Sequence, residues 1–232
     1  MSATLQPETS GEVETPRLVL FDFDGTLLHG DAYTMFIRRR YRRGWWRGLL
    51  VVPIAPLLAL ISITQRGRHA AARILVRLAL VGTDESRYRE LVESFGRELA
   101  RNSRLFSRLG ISTLRRHMHA GDRVLIVTAC EERLARAILD ELGLADIELV
   151  ASGLVRTAWG WRVGVHNIGA EKMRQLAARG IHPPWSAAIS DSLADLPILA
   201  AADQAILVNP DRRKLKRASA RLGTRLGVAE WD

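Results

Sequence analysis

Cysteine is almost missing from this chain: its 232 residues contain one, Cys130. That excludes an intrachain disulfide, leaves too few thiols for a zinc site, and fits a reducing cytoplasm. The expected place for Cys130 is as a small buried residue behind a loop at Thr128. Residues 1–15 have neither a basic opening nor an apolar core, so they are not expected to act as a signal peptide. The expectation there is a flexible acidic tail. No aromatic stacking platform or DNA-binding motif accompanies the basic stretches, which counts against nucleic acid as a partner. Disorder is excluded by a hydrophobic content of 47%. The length suits one α/β domain plus a smaller insertion. Much of the net charge of +9 is concentrated in a few segments.

The most informative stretch is RLVLFDFDGTLL, Arg17–Leu28. Leu18–Phe21 reads as a buried parallel strand, too short for a helix and bounded by a turn signal. Asp22 and Asp24 follow it, then Gly25 and Thr26. Open α/β sheets bind ligands beyond the carboxyl ends of their strands. A buried strand has no structural use for two acids, which stay ionised only where something offsets their charge.

Four further segments follow in order. Gly121–Cys130 is a second apolar strand, ending at Thr128. Gly169–Leu176 puts Lys172 in the first turn of a helical pattern. Ser186–Leu199 is a third strand with Asp191 and Asp195 just past its end. Gln204–Asp211 reads as a last short strand running into an Asn-Pro turn. Together these motifs resemble the haloacid dehalogenase superfamily, and within it the phosphoserine-phosphatase-like subclass. The resemblance implies an α/β fold: a Rossmann-like three-layer core with a parallel sheet, and an α-helical cap inserted between the first and second motifs. Residues 16–30 and 110–232 would form the core and 31–109 the cap. Tyr88, Leu91, Val92, Phe95 and Leu99 recur at helical spacing in that insertion, with Thr83 expected as N-cap after Gly82.

The resemblance also implies roles. Asp22 would attack phosphorus to give an aspartyl-phosphate, with Asp24 as general acid and then base. Thr128, Ala129, Lys172, Gly25 and Thr26 would bind the phosphate. Mg²⁺ would be held by Asp22, Asp191 and the backbone carbonyl of Asp24, with Asp195 and Ser192 behind them. Mg²⁺ suits such a site because it takes a few carboxylates plus phosphate oxygen and water. Two departures from the family pattern are Ser190, where Gly commonly precedes the metal-binding Asp, and Thr-Ala-Cys at the second motif.

The insertion begins unusually. Gly48–Gln65 carries no charge, follows Trp45 and Trp46, contains Pro53 and Pro56, and has arginines at both ends. A single membrane span would put Asp22 and Thr128 on opposite sides, so the segment dips in and returns, lies in the interface, or packs inside the cap. Membrane contact through 45–65 and an ordinary cap core are both open. The segment resembles the cap of the bacterial phosphatidylglycerophosphatases of the C type. That implies a membrane lipid phosphate as substrate and a place at the cytoplasmic face of the inner membrane. A soluble metabolite such as phosphoserine is the alternative, although DGTLLHGD has Asp31 where phosphoserine phosphatases carry a Glu. A non-enzymatic lipid- or nucleic-acid-binding protein is the third reading, disfavoured by the intact acids. The basic end, Asp211–Gly227, is either a solvated helix or a patch for anionic headgroups. His117 and His119 read as a basic helix end, and His29 as a residue near the site's mouth. Trp159 and Trp161 read as packing residues of a hairpin, Leu154–Val165. Oligomeric state is left open.

Overall fold

The computed structural model describes residues 16–231; the expected tail, residues 1–15, lies outside the described residues. Among these, the elements run β1 (Leu18–Phe21), α1 (Ala32–Arg43), α2 (Trp45–Val51), α3 (Ala55–Ile61), α4 (Gln65–Ala79), α5 (Glu85–Ala100) and α6 (Arg108–His119). Then come β2 (Arg123–Glu131), α7 (Glu132–Glu141), β3 (Glu148–Thr157), β4 (Gly160–Val165), α8 (Ala170–Ala178), β5 (Trp185–Ser190), α9 (Leu196–Ala200), β6 (Ala202–Val208), α10 (Arg212–Leu222) and β7 (Leu226–Ala229). The sheet order is β4-β3-β2-β1-β5-β6-β7. Neighbours are parallel except β3 and β4, which form an antiparallel hairpin.

Successive side chains of a strand point to opposite faces, so each central strand feeds two layers. Val19, Phe21, Ile126 and Ile189 pack on one side with Phe36 of α1, Tyr88 and Phe95 of α5, and Leu134 and Ile138 of α7. Leu20, Leu125, Val127 and Ala188 pack on the other with Leu176 of α8, Ile198 of α9 and Leu222 of α10. The three-layer α/β architecture follows from this alternation. β1 lies at the middle of the sheet, with β2 on one flank and β5 on the other. Connections leave it in opposite directions, and that switch point opens the crevice where ligands bind.

Inside the inserted stretch, α5 has its apolar face where the spacing predicts it: Tyr88, Val92, Phe95 and Leu99 are buried. Its N-cap is Asp84, whose carboxylate accepts from Arg87 N at 2.7 Å, rather than the expected Thr83. Thr83 is engaged elsewhere. Its carbonyl accepts from Trp161 Nε1 at 2.8 Å and from Arg156 Nη1 at 3.0 Å, and its hydroxyl accepts from Arg40 Nη2 at 3.1 Å. Other boundaries also move. β2 runs on past Thr128, with a register shift against β3 beyond Val127, and β6 is followed by β7. Trp161 is buried in the core, but Trp159 is exposed at the hairpin turn and is not the packing residue expected.

The apolar run folds as α2, a short 3₁₀ turn (Val52–Ile54) and α3, with a proline opening each of the last two. Proline suits that position, where its missing N–H has no helical partner. Among the described residues no single helix is long and apolar enough to cross a membrane. A bent pair, α1 with Trp45–Ile61, meets the length and composition together and turns by 104°. Leu58 is buried, yet Trp45, Leu49, Val52, Leu57, Leu60 and Ile63 are exposed, Trp45 to 74% and Ile63 to 75%.

Gly96 lets α5 approach α7 closely: a Cβ there would lie 2.9 Å from Ala137 Cβ and 3.3 Å from the Leu134 carbonyl oxygen. Gly96→Val should therefore destabilise the fold by about 1–3 kcal/mol through overpacking. Urea denaturation of the two proteins checks this, and an unchanged midpoint would contradict the packing described.

Candidate active site

The sheet aims Asp22. Although β1 ends at Phe21, the Asp22 N–H still donates to the Ile189 carbonyl of β5 at 2.9 Å. Its carboxylate meets Lys172, in the first turn of α8: Nζ donates to Asp22 Oδ1 at 2.8 Å and to Asp195 Oδ2 at 2.7 Å. All three side chains are buried, Lys172 to 2% exposure. Ser190 Oγ donates to the same Asp195 oxygen at 2.7 Å and accepts from Ser192 N at 3.1 Å. The serine that departs from the family pattern thus anchors Asp195. Ser192 caps the short turn after β5, accepting from Ala194 N.

The loops after β1 and β5 are tied together. Thr26 Oγ1 accepts from Asp191 N at 3.0 Å, so its buried hydroxyl links two loops. Gly25 has φ +79°, and a Cβ on it would stand 2.7 Å from the Asp191 carboxylate. Only glycine supplies both that backbone angle and that clearance. On the other flank Asp24 Oδ1 accepts from Ala32 N at 2.9 Å, at the start of α1, whose N-cap Asp31 accepts from Thr34 N.

Thr128 is fully buried where β2 and β3 lose register. Its Oγ1 accepts from Cys130 N at 3.0 Å, which leaves the hydroxyl hydrogen free to donate. Its carbonyl accepts from Asn167 Nδ2 at 3.0 Å, and the same amide nitrogen reaches the Val150 carbonyl at 2.9 Å. Asn167 and Lys214 are contributors that sequence reasoning missed. Lys214, in the first turn of α10, donates to the Asp191 carbonyl at 2.9 Å and lies 3.4 Å from its Oδ2. The HNIGAEK stretch and the basic end of the chain contained both residues, but nothing in the spacing pointed inward.

Burial pushes the Asp22 carboxyl up to about 7, against the pull of Lys172 and with Asp195 and Asp191 adding to the rise. Burial, and then Asp31, hold Asp24 well above the usual carboxylate range. Burial also raises Asp191, against Lys214. For Lys172 burial works against the charge, but Asp22 and Asp195 outweigh it and raise the amine. Acids crowded this closely call for more positive charge than two lysines bring. Among the described residues no three acid, histidine or cysteine side chains gather tightly enough to hold a metal alone. The expected donor set asks for only two, Asp22 and Asp191, with the Asp24 carbonyl as third. The Asp191 carboxylate lies against the Gly25 backbone that follows Asp24, and two carboxylates with a carbonyl are donors of the type that a hard cation takes.

A cavity of about 590 Å³ reaches Ala129, next to Thr128 in β2, and is lined also by Asp31, Tyr33, Ile37, Arg73 and His166 among others. His29 does not line it; His69 and His166 do. Cys130 is buried, and its thiol is pushed well up by burial and then by Asp24, so it is unreactive.

Fold and site define a three-layer α/β protein with an acid pair just past the end of its central strand. The model of the haloacid dehalogenase-like hydrolases matches residues 19–200, and the chain belongs to that family. Protein CicA of Caulobacter vibrioides is 29% identical over 206 residues, covering 86% of this chain and 89% of that protein. A probable phosphatase of Mycobacterium tuberculosis is 26% identical over 224 residues, covering 93% and 77%. Among solved structures, a phospho-aspartyl intermediate analogue of phosphoserine phosphatase matches with a TM-score of 0.58 at 17% identity, covering 94% of this chain and 96% of that one. That last likeness is one of fold. The chain is an enzyme, a phosphatase-type member of the family.

Removing one partner from a buried charge network leaves the others uncompensated. Lys172→Met should cost about 3–5 kcal/mol of stability, as measured by urea denaturation at neutral pH. A loss below about 1 kcal/mol would mean that Lys172 does not hold Asp22 and Asp195 together.

Proposed function

We propose that this protein is a Mg²⁺-dependent phosphomonoester hydrolase that works through an aspartyl-phosphate, and that its substrate is a membrane lipid phosphate such as phosphatidylglycerophosphate. In this reading one Asp22 oxygen attacks phosphorus while Lys172 holds the other. The raised Asp24 keeps a proton for the departing alcohol oxygen. It then takes one from the water that hydrolyses the aspartyl-phosphate. Thr128 donates its hydroxyl to a phosphoryl oxygen. Asp22, Asp191 and the Asp24 carbonyl would hold Mg²⁺, which neutralises phosphoryl charge when bound. Splitting one hard displacement into two easier ones is the gain of the covalent route.

The observation that carries the lipid part is the exposed apolar surface of α2 and α3. Soluble monomers rarely leave so many large apolar side chains together in water. Arg42 and Arg43 precede this surface, both exposed, and each arginine near an anionic leaflet contributes on the order of 1 kcal/mol. The chain would then lie at the cytoplasmic face of the inner membrane, dipping into it without crossing. The phosphoserine phosphatase fold favours a second reading, a soluble metabolite as substrate.

Turnover of lipid and soluble phosphomonoesters, with and without detergent micelles, decides between them. Activity should vanish with EDTA and return with Mg²⁺, and it should favour the lipid in micelles. The protein should also sediment with anionic vesicles at low salt and less at high salt. Leu57→Asp with Leu60→Asp should release it, since charge in hydrocarbon costs about 2.5–3.5 kcal/mol per residue. Wild-type protein left in the supernatant at low salt would overturn the membrane contact, and turnover that survives exhaustive chelation would remove the cation.

A further inference from the structure

The cavity that reaches Ala129 has a second charged region. A neighbouring cavity of about 570 Å³ shares part of its wall, including His69, Arg73 and His166, and adds Arg77, Arg162 and Arg174. This wall is made by α4 on one side and by the β3–β4 hairpin with the segment after it on the other.

Carboxylates are present, but each is already engaged. Asp31 caps α1 by accepting from Thr34 N. Glu131 caps α7 by accepting from Leu134 N at 3.0 Å. Glu171 is taken by Arg174 and by Gln175. Arg77 reaches the Trp159 carbonyl at 3.3 Å. Among the described residues three arginine side chains of the two cavities make no hydrogen bond or ion pair: Arg38 in the first, Arg73 in both and Arg162 in the second. Arg73 and Arg162 line the second cavity together with His69 and His166, whose rings are 6.0 Å apart. Burial first, and then His69 and Arg73, lower the His166 pKa, against a smaller pull from Asp31. Surface arginines usually find a carboxylate or scatter. Arg73, on the wall that both cavities share, and Arg162, on the wall of the second, form a cradle for an anion, since a guanidinium offers paired donors in a fixed plane.

We propose that Arg73 and Arg162, with His69 and His166, bind a second anionic group of the substrate, a phosphodiester carried on the alcohol side of the scissile phosphomonoester. This rests on the phosphatase reading above and adds a specificity site to it. The monoester would lie against Asp22 and Thr128 while the diester lies along α4. Loss of either arginine weakens substrates that carry the second charge and has no matching effect on substrates that lack it.

The test compares two soluble substrates with Mg²⁺ present: glycerophosphoglycerol phosphate, which carries a monoester and a diester, and glycerol 3-phosphate, which carries the monoester alone. The wild-type ratio of kcat/KM should favour the first at least about tenfold, about 1.4 kcal/mol. The double variant Arg73→Ala, Arg162→Ala should lose that ratio, and Arg73→Lys should keep part of it. A ratio that survives in the double variant, or a wild-type ratio near one, would overturn the proposal. The diacyl form of the first substrate in detergent micelles separates the sources. If the variant loses the preference there too, the diester is a lipid headgroup; if it loses only the soluble preference, the diester belongs to a soluble metabolite. If neither substrate is turned over, the phosphatase reading fails by itself and the cradle is read by calorimetry with glycerophosphoglycerol. Binding weakened at least about tenfold by the double variant upholds the cradle; equal binding, or none to the wild type, rejects it.

Discussion

A lysine ammonium shut away from water between two carboxylates has no solvent to share its charge with, so the three groups hold one another in place. Lys172 comes from α8, Asp22 from the end of β1 and Asp195 from the turn after β5. One buried ammonium therefore ties three separate stretches of chain at the switch point of the sheet. The surrounding contacts build outward from it. Ser190 fixes the Asp195 oxygen that Lys172 uses, Thr26 fixes the backbone of Asp191, and Gly25 keeps the space between them clear. Such networks are costly to bury and costly to break, which would suit a centre that works by the two displacements proposed.

The strand-end acids were legible because their chemistry conflicts with their surroundings. Leu18–Phe21 can only be a buried strand, and two acids following it have no packing role. Lys172 and Asp191 were legible by motif and spacing. Ser190 was visible as a departure, but its hydrogen bond depends on where the next turn puts Asp195. Asn167 was hidden because its partners, Thr128 and Val150, belong to other strands. Lys214 was hidden inside a run of basic residues, where nothing marks the one that turns inward. Thr83 and Asp84 are both good caps locally; a tertiary contact decided between them when Trp161 took the Thr83 carbonyl. The two tryptophans of the hairpin could have been separated, since Gly160 ends the turn and leaves Trp159 outside the ladder while Trp161 enters β4.

The inserted segment behaves as two parts. α5 joins the main core through its contact with α7, so it fixes the base of the insertion to the sheet. α2 and α3 keep most of their large apolar side chains outward, and α4 connects that surface to the cavity wall that carries Arg73. The apolar run announced itself in the sequence, whereas the cradle did not, because its arginines and histidines come from stretches almost a hundred residues apart.

The central claim is that Asp22 is the nucleophile, and reduction of the trapped intermediate tests it most directly. Enzyme turning over p-nitrophenyl phosphate with Mg²⁺ is quenched in acid, treated with borohydride, digested and sequenced by mass spectrometry. An acyl phosphate on Asp22 is reduced to the alcohol, so homoserine should appear at position 22 in the wild type and not in Asp22→Asn, which should also be inactive. Homoserine at another aspartate, or full activity in Asp22→Asn, would contradict the account.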